Sequence, residues 1–171
     1  MRRSSWIILL TAGSLLVIAT VLYSLTYSER APAMSQAVAT ELAEAGRRAV
    51  ERGDVNALFD LFTKDATVLG RTRADAYVEI AKAMSEMRGN FSINIRNLEV
   101  RREGRSAQAT FTMDVGQKDD RMDVVYYPDL RMRARIAKIR TPRWWGLFEA
   151  ESWKVTEIES DPPILPKADP P

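Results

Sequence analysis

The sequence predicts an α+β domain behind an N-terminal transmembrane helix. An uncharged run occupies residues 6–27, apolar residues recur at helical spacing over 34–87, and they alternate with polar residues from residue 91 onward. Helical periodicity followed by a period of two indicates helices packed on an antiparallel sheet. We therefore expect a cone-shaped domain of about three helices on a curved sheet.

The chain is long enough for one domain with its own core beside a membrane helix. Its 171 residues divide into an N-terminus, an anchor, a linker, a folded domain and a tail. The predicted bounds are, in that order, 1–5, 6–27, 28–34, 35–160 and 161–171. Five of the eleven tail residues are Pro, which favours an extended, flexible terminus. An ordered tail would instead indicate a strap along a partner.

Residues 6–27 can cross a bilayer as a helix. Twenty-two residues at about 1.5 Å each span roughly 33 Å, against a hydrocarbon core of about 30 Å. Trp6 at one end and Tyr23 and Tyr27 at the other stand where aromatic residues meet lipid headgroups. The rival interpretation is a signal peptide cleaved near Ala31, but this run exceeds the usual apolar core of such peptides.

Arg2 and Arg3 precede the anchor and predict its orientation. Basic residues favour the cytoplasmic side of a membrane, so residues 1–5 are expected in the cytoplasm. The chain is then a single-pass protein of the inner, cytoplasmic membrane, with a periplasmic domain.

Local capping signals place three helices in the first part of the domain. The first is predicted over 34–52 and ends at Gly53. Asp54 is a good N-cap for a short second helix. Thr72 can cap a third helix over about 73–87.

Period-two alternation predicts the strands that follow. Two antiparallel strands flank a turn at Gly104. A third runs over about 122–140, with a β-bulge between Arg135 and Lys138, where the parity of the basic residues changes. The final strand is predicted over 152–159.

Local runs also carry a resemblance to a known family. They are GDVNAL at 53–58 leading to FTKDAT at 62–67, and SWKVTEI at 152–158. With the order of the elements, they resemble the nuclear transport factor two-like superfamily, which includes SnoaL-like and ketosteroid-isomerase-like proteins. The resemblance covers about residues 35–160 and implies a cone between helices and sheet. Because the runs are generic, it implies a fold rather than an activity.

The charge balance disfavours a nucleic-acid-binding protein. Two of the 25 basic residues precede the apolar run, so residues 28–171 carry 23 basic and 23 acidic side chains. Proteins that bind nucleic acids normally carry a basic excess in their folded part, because neutralised phosphates supply the affinity.

The chain contains no Cys and no His. It therefore lacks thiol nucleophiles, the commonest general base and the commonest metal ligand. We expect no catalytic residue, no metal and no cofactor.

Polar side chains inside the cone are the candidates for a ligand pocket. They are Tyr77, Asp114, Asp123, Tyr126 and Tyr127. A carboxylate in an apolar pocket can act as a base, and a Tyr hydroxyl can polarise a carbonyl. The alternative is that the Tyr residues are half-buried sheet residues and the Asp residues lie in solvated turns.

A basic stripe is predicted on the third strand. Arg131, Arg133 and Arg135 alternate and would share one face, where they could meet anionic lipid headgroups or an acidic partner. The alternative is a solvated face paired with carboxylates on neighbouring strands, such as Glu99 or Glu157.

Large apolar residues are concentrated in a predicted loop. Arg143, Trp144, Trp145, Leu147 and Phe148 lie there, and Trp and Arg are the residue types most enriched at binding hot spots. The loop could bind a partner or a membrane interface, or its Trp side chains could close the open end of the cone.

These features together favour a non-catalytic role. The leading hypothesis is a membrane-anchored interaction domain, an accessory or assembly subunit of a larger bacterial membrane complex, whose partners are other membrane-protein subunits and the bilayer. Periplasmic assembly subunits of type IV secretion systems, which the architecture resembles, and accessory subunits of photosynthetic or respiratory complexes would fit. The alternative is a membrane-tethered binder of a small apolar ligand, or an isomerase- or dehydratase-like enzyme, using the cone.

Overall fold

The computed structural model describes residues 31–86, 91–117, 124–143 and 148–163. These residues belong to two compact units. One, called here the main unit, contains Pro32–Lys138 and the chain from Trp153 onward. The described part of the other consists of Ala31 and residues 139–143 and 148–152.

The predicted N-terminus and anchor lie outside the described residues, as do the anchor's aromatic residues Trp6, Tyr23 and Tyr27. In the described ranges, no helix has both the length and the apolar character that a membrane crossing requires. The anchor over residues 6–27 therefore stays a prediction.

Among the described residues, three α-helices form where the periodicity predicts them. They are α1 (Gln36–Glu51), α2 (Val55–Phe59) and α3 (Arg73–Glu86). Gly53 has a φ of 68°, a left-handed conformation that ends α1 at low cost for a residue without Cβ.

Side-chain caps fix where α2 and α3 begin. The Asp54 carboxylate accepts a hydrogen bond from the Ala57 N–H at 2.9 Å. The Thr72 hydroxyl accepts one from the Asp75 N–H at 3.2 Å and donates one to the Asp75 carboxylate at 2.7 Å. Both predicted caps are confirmed, and each contributes about 1 kcal/mol to the stability of its helix.

The described part of the chain contributes six strands to one curved sheet. They are β1 (Phe62–Val68), β2 (Arg71–Thr72), β3 (Phe91–Glu103), β4 (Ser106–Gln117), β5 (Val124–Arg143) and β6 (Phe148–Asp161). Their order is β2-β1-β6-β5-β4-β3. As predicted, β3, β4 and β5 pair antiparallel; β1 pairs parallel with β6. The final strand is longer than the predicted 152–159, and it lies between β1 and β5 in the sheet.

The β-bulge predicted between Arg135 and Lys138 is absent from the pairing of β5 with β4. The register runs unbroken from Ser106↔Ala137 to Met113↔Leu130. Lys138 instead shares the parity of the inward-facing residues, and its ammonium lies 5.9 Å from the centroid of the Trp153 ring. A Lys can cover an aromatic ring with its apolar stem and charged end, so a change in charge parity need not mark a bulge.

The register of β5 shifts at a different place, on the N-terminal side of Leu130. The pairing of β4 with β5 is irregular between Met113 and Gly116, opposite residues 125–130. Asp129, in that stretch, has a φ of 53°. The irregular pairing therefore coincides with a residue in the left-handed conformation, which the alternation of side chains in the sequence did not predict.

Residues alternate between the two faces of the sheet along the middle of β5. Leu130, Met132, Ala134 and Ile136 are buried on the inner face, towards the helices. The intervening Arg131, Arg133 and Arg135 are exposed on the outer face. The predicted shared face of the three Arg residues is confirmed.

The other unit holds an ion-pair cluster of its own. The Arg140 guanidinium lies 3.2 Å from the Glu151 carboxylate and 3.6 Å from that of Glu149. Such contacts at an exposed site contribute little to folding, about 0–1 kcal/mol.

Candidate functional site

An apolar cavity lies between the helices and the inner face of the sheet in the main unit. Its volume is about 200 Å³. Representative lining residues are Leu42 and Val50 of α1, Ile93 and Ile95 of β3, and Phe111 and Met113 of β4. A cavity of about 150 Å³ is enough for a benzene-sized molecule. The site can therefore accept a small apolar ligand.

Arg47 is the charged residue among the described residues that line this cavity, and its guanidinium is already engaged. It lies 2.8 Å from the Glu44 carboxylate and 2.7 Å from the Glu51 carboxylate. Its hydrogen bond lowers the pKa of Glu44, and the hydrogen bonds from Glu44 and then Glu51 raise the pKa of Arg47. This network keeps the charge on the surface of α1 rather than offering it to a ligand.

Tyr77 is not among the residues that line the cavity. Its hydroxyl donates to the Asn56 side-chain oxygen at 3.0 Å. Its ring meets the Phe59 ring edge to face, with centroids 5.1 Å apart. The residue packs on the core between α2 and α3 and uses its hydroxyl for a helix-to-helix hydrogen bond.

Asp114 lies on the outer face of β4, away from the cavity. Its carboxylate accepts hydrogen bonds from the Asp129 N–H at 2.9 Å, the Arg96 guanidinium at 2.7 Å and the Asn94 amide at 3.3 Å. Arg96 also bonds Asp129 at 2.8 Å. Asp114 thus ties β3 and β4 to the irregular part of β5.

The electrostatics of Asp114 are the opposite of those of a general base. The hydrogen bond from the Asp129 N–H, followed by that from Arg96, lowers the pKa of Asp114. A carboxylate that works as a base near neutral pH needs a raised pKa. The described contacts therefore fit a structural role for this residue.

Tyr126 and Tyr127 lie on an exposed part of β5. With Val125 they are 44–53% exposed. The Tyr126 hydroxyl donates to the Gln117 side chain at 2.9 Å. Neither Tyr lines the cavity, and Asp123 lies outside the described residues. The four described pocket candidates do not converge on one site.

A second concavity, here called the outer groove, crosses the outer face of the sheet. It is defined by Glu99, Thr110, Thr112, Arg131, Arg133, Glu159 and Asp161, which come from β3 to β6. Its volume is about 490 Å³, and the side chains that distinguish it are charged or polar. Two of the three predicted stripe residues therefore share a concave surface with three carboxylates.

The third stripe residue is already paired. The Arg135 guanidinium lies 2.9 Å from the Glu157 carboxylate, so at this one residue the predicted alternative, a face paired with carboxylates on neighbouring strands, is confirmed. Within the described ranges, neither the Arg131 nor the Arg133 guanidinium makes an ion pair or a side-chain hydrogen bond. Their guanidinium donors remain available to a ligand.

The predicted loop cluster is largely outside the described residues. Trp144, Trp145 and Leu147 fall there, while Arg143 ends β5 and Phe148 begins β6. Of the Pro-rich tail, residues 161–163 are described. The binding role of the loop stays a prediction.

One long-range hydrogen bond was not predicted from the sequence. The Trp153 indole N–H donates to the Pro32 carbonyl at 2.9 Å, across 121 residues of chain. A buried indole N–H needs a hydrogen-bond acceptor, so the predicted inward position of Trp153 was the sequence signal for such a contact.

In the described ranges, no three Asp or Glu side chains form a group able to hold a metal ion.

Comparison with known proteins places the fold. No family model matches the chain, and no curated protein matches it. Solved structures do match. An NTF2-like protein with a cystatin-like fold from Novosphingobium aromaticivorans has a TM-score of 0.54 and 17% identity, over 86% of this chain and 87% of that one.

Two other structures show the same likeness. The protein Aln2 from a Streptomyces species has a TM-score of 0.62 and 10% identity, covering 78% of this chain and 95% of that one. Bd1075 from Bdellovibrio bacteriovorus has a TM-score of 0.54 and 9% identity; the match covers 71% of this chain but 38% of Bd1075. The described part of this chain has an α+β fold with a curved six-stranded sheet of the NTF2-like (nuclear transport factor two-like) type, as the sequence resemblance implied.

Proposed function

We propose that this chain is a non-catalytic, membrane-anchored interaction domain, an accessory or assembly subunit of a larger bacterial membrane protein complex. The observation that carries the proposal is the separation of chemistry between the two faces of the sheet. The inner face bounds an apolar cavity, whereas Arg131 and Arg133 are presented on the outer face without a described ion-pair partner.

The exposed residues of β5 support a binding role. Tyr and Arg are among the residue types that contribute most to protein interfaces. Tyr126 and Tyr127 lie on the same strand as the two Arg residues and expose nearly half of their surface.

The charges of the outer groove favour a protein partner over an anionic bilayer. Glu99, Glu159 and Asp161 line the same concavity as the two Arg residues. Three carboxylates would repel a surface of anionic headgroups. A protein can instead match both signs of charge at once.

The anchor remains the basis for the proposed location. We place residues 6–27 in the inner membrane and the described domain in the periplasm, on the strength of the apolar run and of Arg2 and Arg3. Alkaline carbonate extraction should leave the full chain with the membrane pellet and release a variant that lacks residues 1–30. Recovery of the full chain in the supernatant would contradict the anchor.

The experiment that tests the proposed function is gentle detergent extraction of the tagged chain from its native membrane, followed by a native gel. A stoichiometric complex that contains other membrane proteins is the expected result. A monomer or homodimer as the sole species would overturn the proposal.

The apolar cavity supports a second candidate function, binding of a small apolar molecule. The described lining is apolar apart from Arg47, whose guanidinium is engaged by Glu44 and Glu51, and this lining supports binding of an apolar molecule. Native mass spectrometry of the purified chain tests it. A bound mass that is lost on Ala109→Phe, which fills the cavity, would support this function.

A further inference from the structure

We propose that the outer groove is the surface that contacts the partner, and that it takes an extended segment of a protein subunit. That segment would place a carboxylate between Arg131 and Arg133, and basic side chains over the flanking acidic residues. This inference rests on the proposed function, because it names the surface and the partner chemistry of the same interaction.

The strand register sets the spacing of the two guanidinium groups. Arg131 pairs with Thr112, and Arg133 pairs with Thr110, so both Arg side chains leave β5 on the same face. Residues two apart on a strand are separated by about 7 Å. Two guanidinium groups at this spacing, beside two hydroxyls, can hold one carboxylate with several charge-assisted hydrogen bonds.

Acidic side chains lie on both sides of this basic pair. Glu99 of β3 is the register partner of Thr110, which in turn pairs with Arg133. Glu159 and Asp161 of β6 line the other side of the groove. Across the strands the charge is therefore negative, positive and then negative.

This charge order selects the chemistry of the occupant. A simple anion at the Arg pair would be repelled by three exposed carboxylates within the same concavity. A polypeptide that carries a Glu or Asp between Lys or Arg residues can pair with the two Arg residues and also with the carboxylates on both sides of them. Extended chain fits better than helix, because its side chains alternate with the same spacing as those of the sheet.

Arg135 marks the end of the groove. Its guanidinium is held by Glu157 at 2.9 Å, so the ion pair is completed within the chain there. Two residues along each strand from this pair, Arg133 and Glu159 both line the groove but form no ion pair with each other. The availability of donors is thus specific to Arg131 and Arg133 rather than general along β5.

Charge reversal of the two Arg residues is the direct test. For the full chain carrying Arg131→Glu and Arg133→Glu, the amount found in the complex band of the native gel should be at least ~30-fold lower than for the wild type. A loss of this size is expected when interface hot spots are removed. The matched control reverses Arg102 and Arg105, two exposed Arg residues at the β3–β4 turn that do not line the groove. The control should comigrate with the complex like the wild type.

Two further variants keep the result interpretable. Arg131→Lys with Arg133→Lys preserves the charge but not the paired donors, so an intermediate loss is expected. A photo-cross-linking amino acid in place of the exposed Thr110 should join the chain to a protein subunit. The same cross-linker in place of Asp65, an exposed residue of β1 outside the groove, should not.

Each outcome has a distinct meaning. If the wild-type chain forms a complex and the doubly reversed variant joins it unchanged, the inference is wrong and the proposed function stands. Cross-linking from position 110 to lipid alone would likewise overturn the inference in favour of a bilayer contact. If the wild-type chain forms no complex at all, the proposed function fails, and the inference fails with it.

Discussion

The two faces of the sheet in the main unit differ in what their side chains contact. On the inner face, residues such as Met132 and Ala134 are buried and line an apolar cavity. On the outer face, their neighbours Arg131 and Arg133 are exposed and share a groove with carboxylates. Because a strand sends successive side chains to opposite faces, one segment of β5 supplies both. The folding free energy should therefore depend on the inner face and binding on the outer face.

The largest expected effect on stability is at the inner core. Phe59 is 1% exposed and packs with Phe62, Tyr77 and the Arg73 guanidinium, which lies 5.6 Å from its ring centroid. Phe59→Ala should lower the free energy of unfolding by about 3–5 kcal/mol, since it removes buried area and leaves a cavity. Urea denaturation of the full chain in detergent measures the change.

A matched control for this prediction lies on α3. Val78 is 66% exposed, and Val78→Ala should change the free energy of unfolding by less than about 0.5 kcal/mol. Equal losses at Phe59 and Val78 would contradict the division between buried and exposed positions.

Asp114 sharpens the comparison, because it is an outer-face residue with a structural role. Asp114→Asn keeps an acceptor for the Asp129 N–H but removes the charge that binds Arg96. We expect a loss of about 1–2 kcal/mol in the free energy of unfolding at pH 7.

The pH dependence identifies the charge as the cause. The pKa of Asp114 is lowered in the folded chain, so its contribution is complete above the ordinary Asp pKa and is lost as pH falls through the folded value. The difference between wild type and Asp114→Asn should therefore shrink in acid. A difference that stays constant from pH 7 into that acid range would exclude the ionised carboxylate as the source.

The parts of the fold that were predictable depend on local sequence. The cap at Asp54 and the exposed alternation of Arg131 to Arg135 follow from residues within one turn or one strand. The hydrogen bond between Trp153 and Pro32, across 121 residues, depends on how distant segments meet.

The candidate site was harder to predict for the same reason. Asp114 resembled a catalytic acid or base by residue type, but its partners come from β3 and β5. The outer groove could not be assembled from the sequence, because its residues derive from four strands whose register is set by tertiary pairing.

A smaller effect is expected where the cavity meets α1. Gly46 lies inside the helix, and a Cβ added there would be 3.6 Å from Leu61 Cδ1, an ordinary contact. Gly46→Ala should stabilise the chain by about 0.5–1 kcal/mol, since Ala has the higher helix propensity. The thermal midpoint of the full chain in detergent should rise.

The same substitution distinguishes an empty cavity from an occupied one. Gly46 lines the cavity, so Ala reduces its volume. If a resident apolar molecule stabilises the native chain, its displacement would offset the helix effect, and the midpoint would fall in place of rising.

The smallest effect is expected for the outer groove itself. Arg131→Gln with Arg133→Gln should change the free energy of unfolding by no more than about 0.5 kcal/mol, because neither guanidinium has an ion-pair partner among the described residues. Arg135→Gln, which breaks an exposed pair with Glu157, should cost at most about 1 kcal/mol. A loss of complex by the first variant, measured beside unchanged urea unfolding, would separate binding from folding. A large loss of stability would mean that the two Arg residues contribute to folding, and it would contradict the division between a folding face and a binding face.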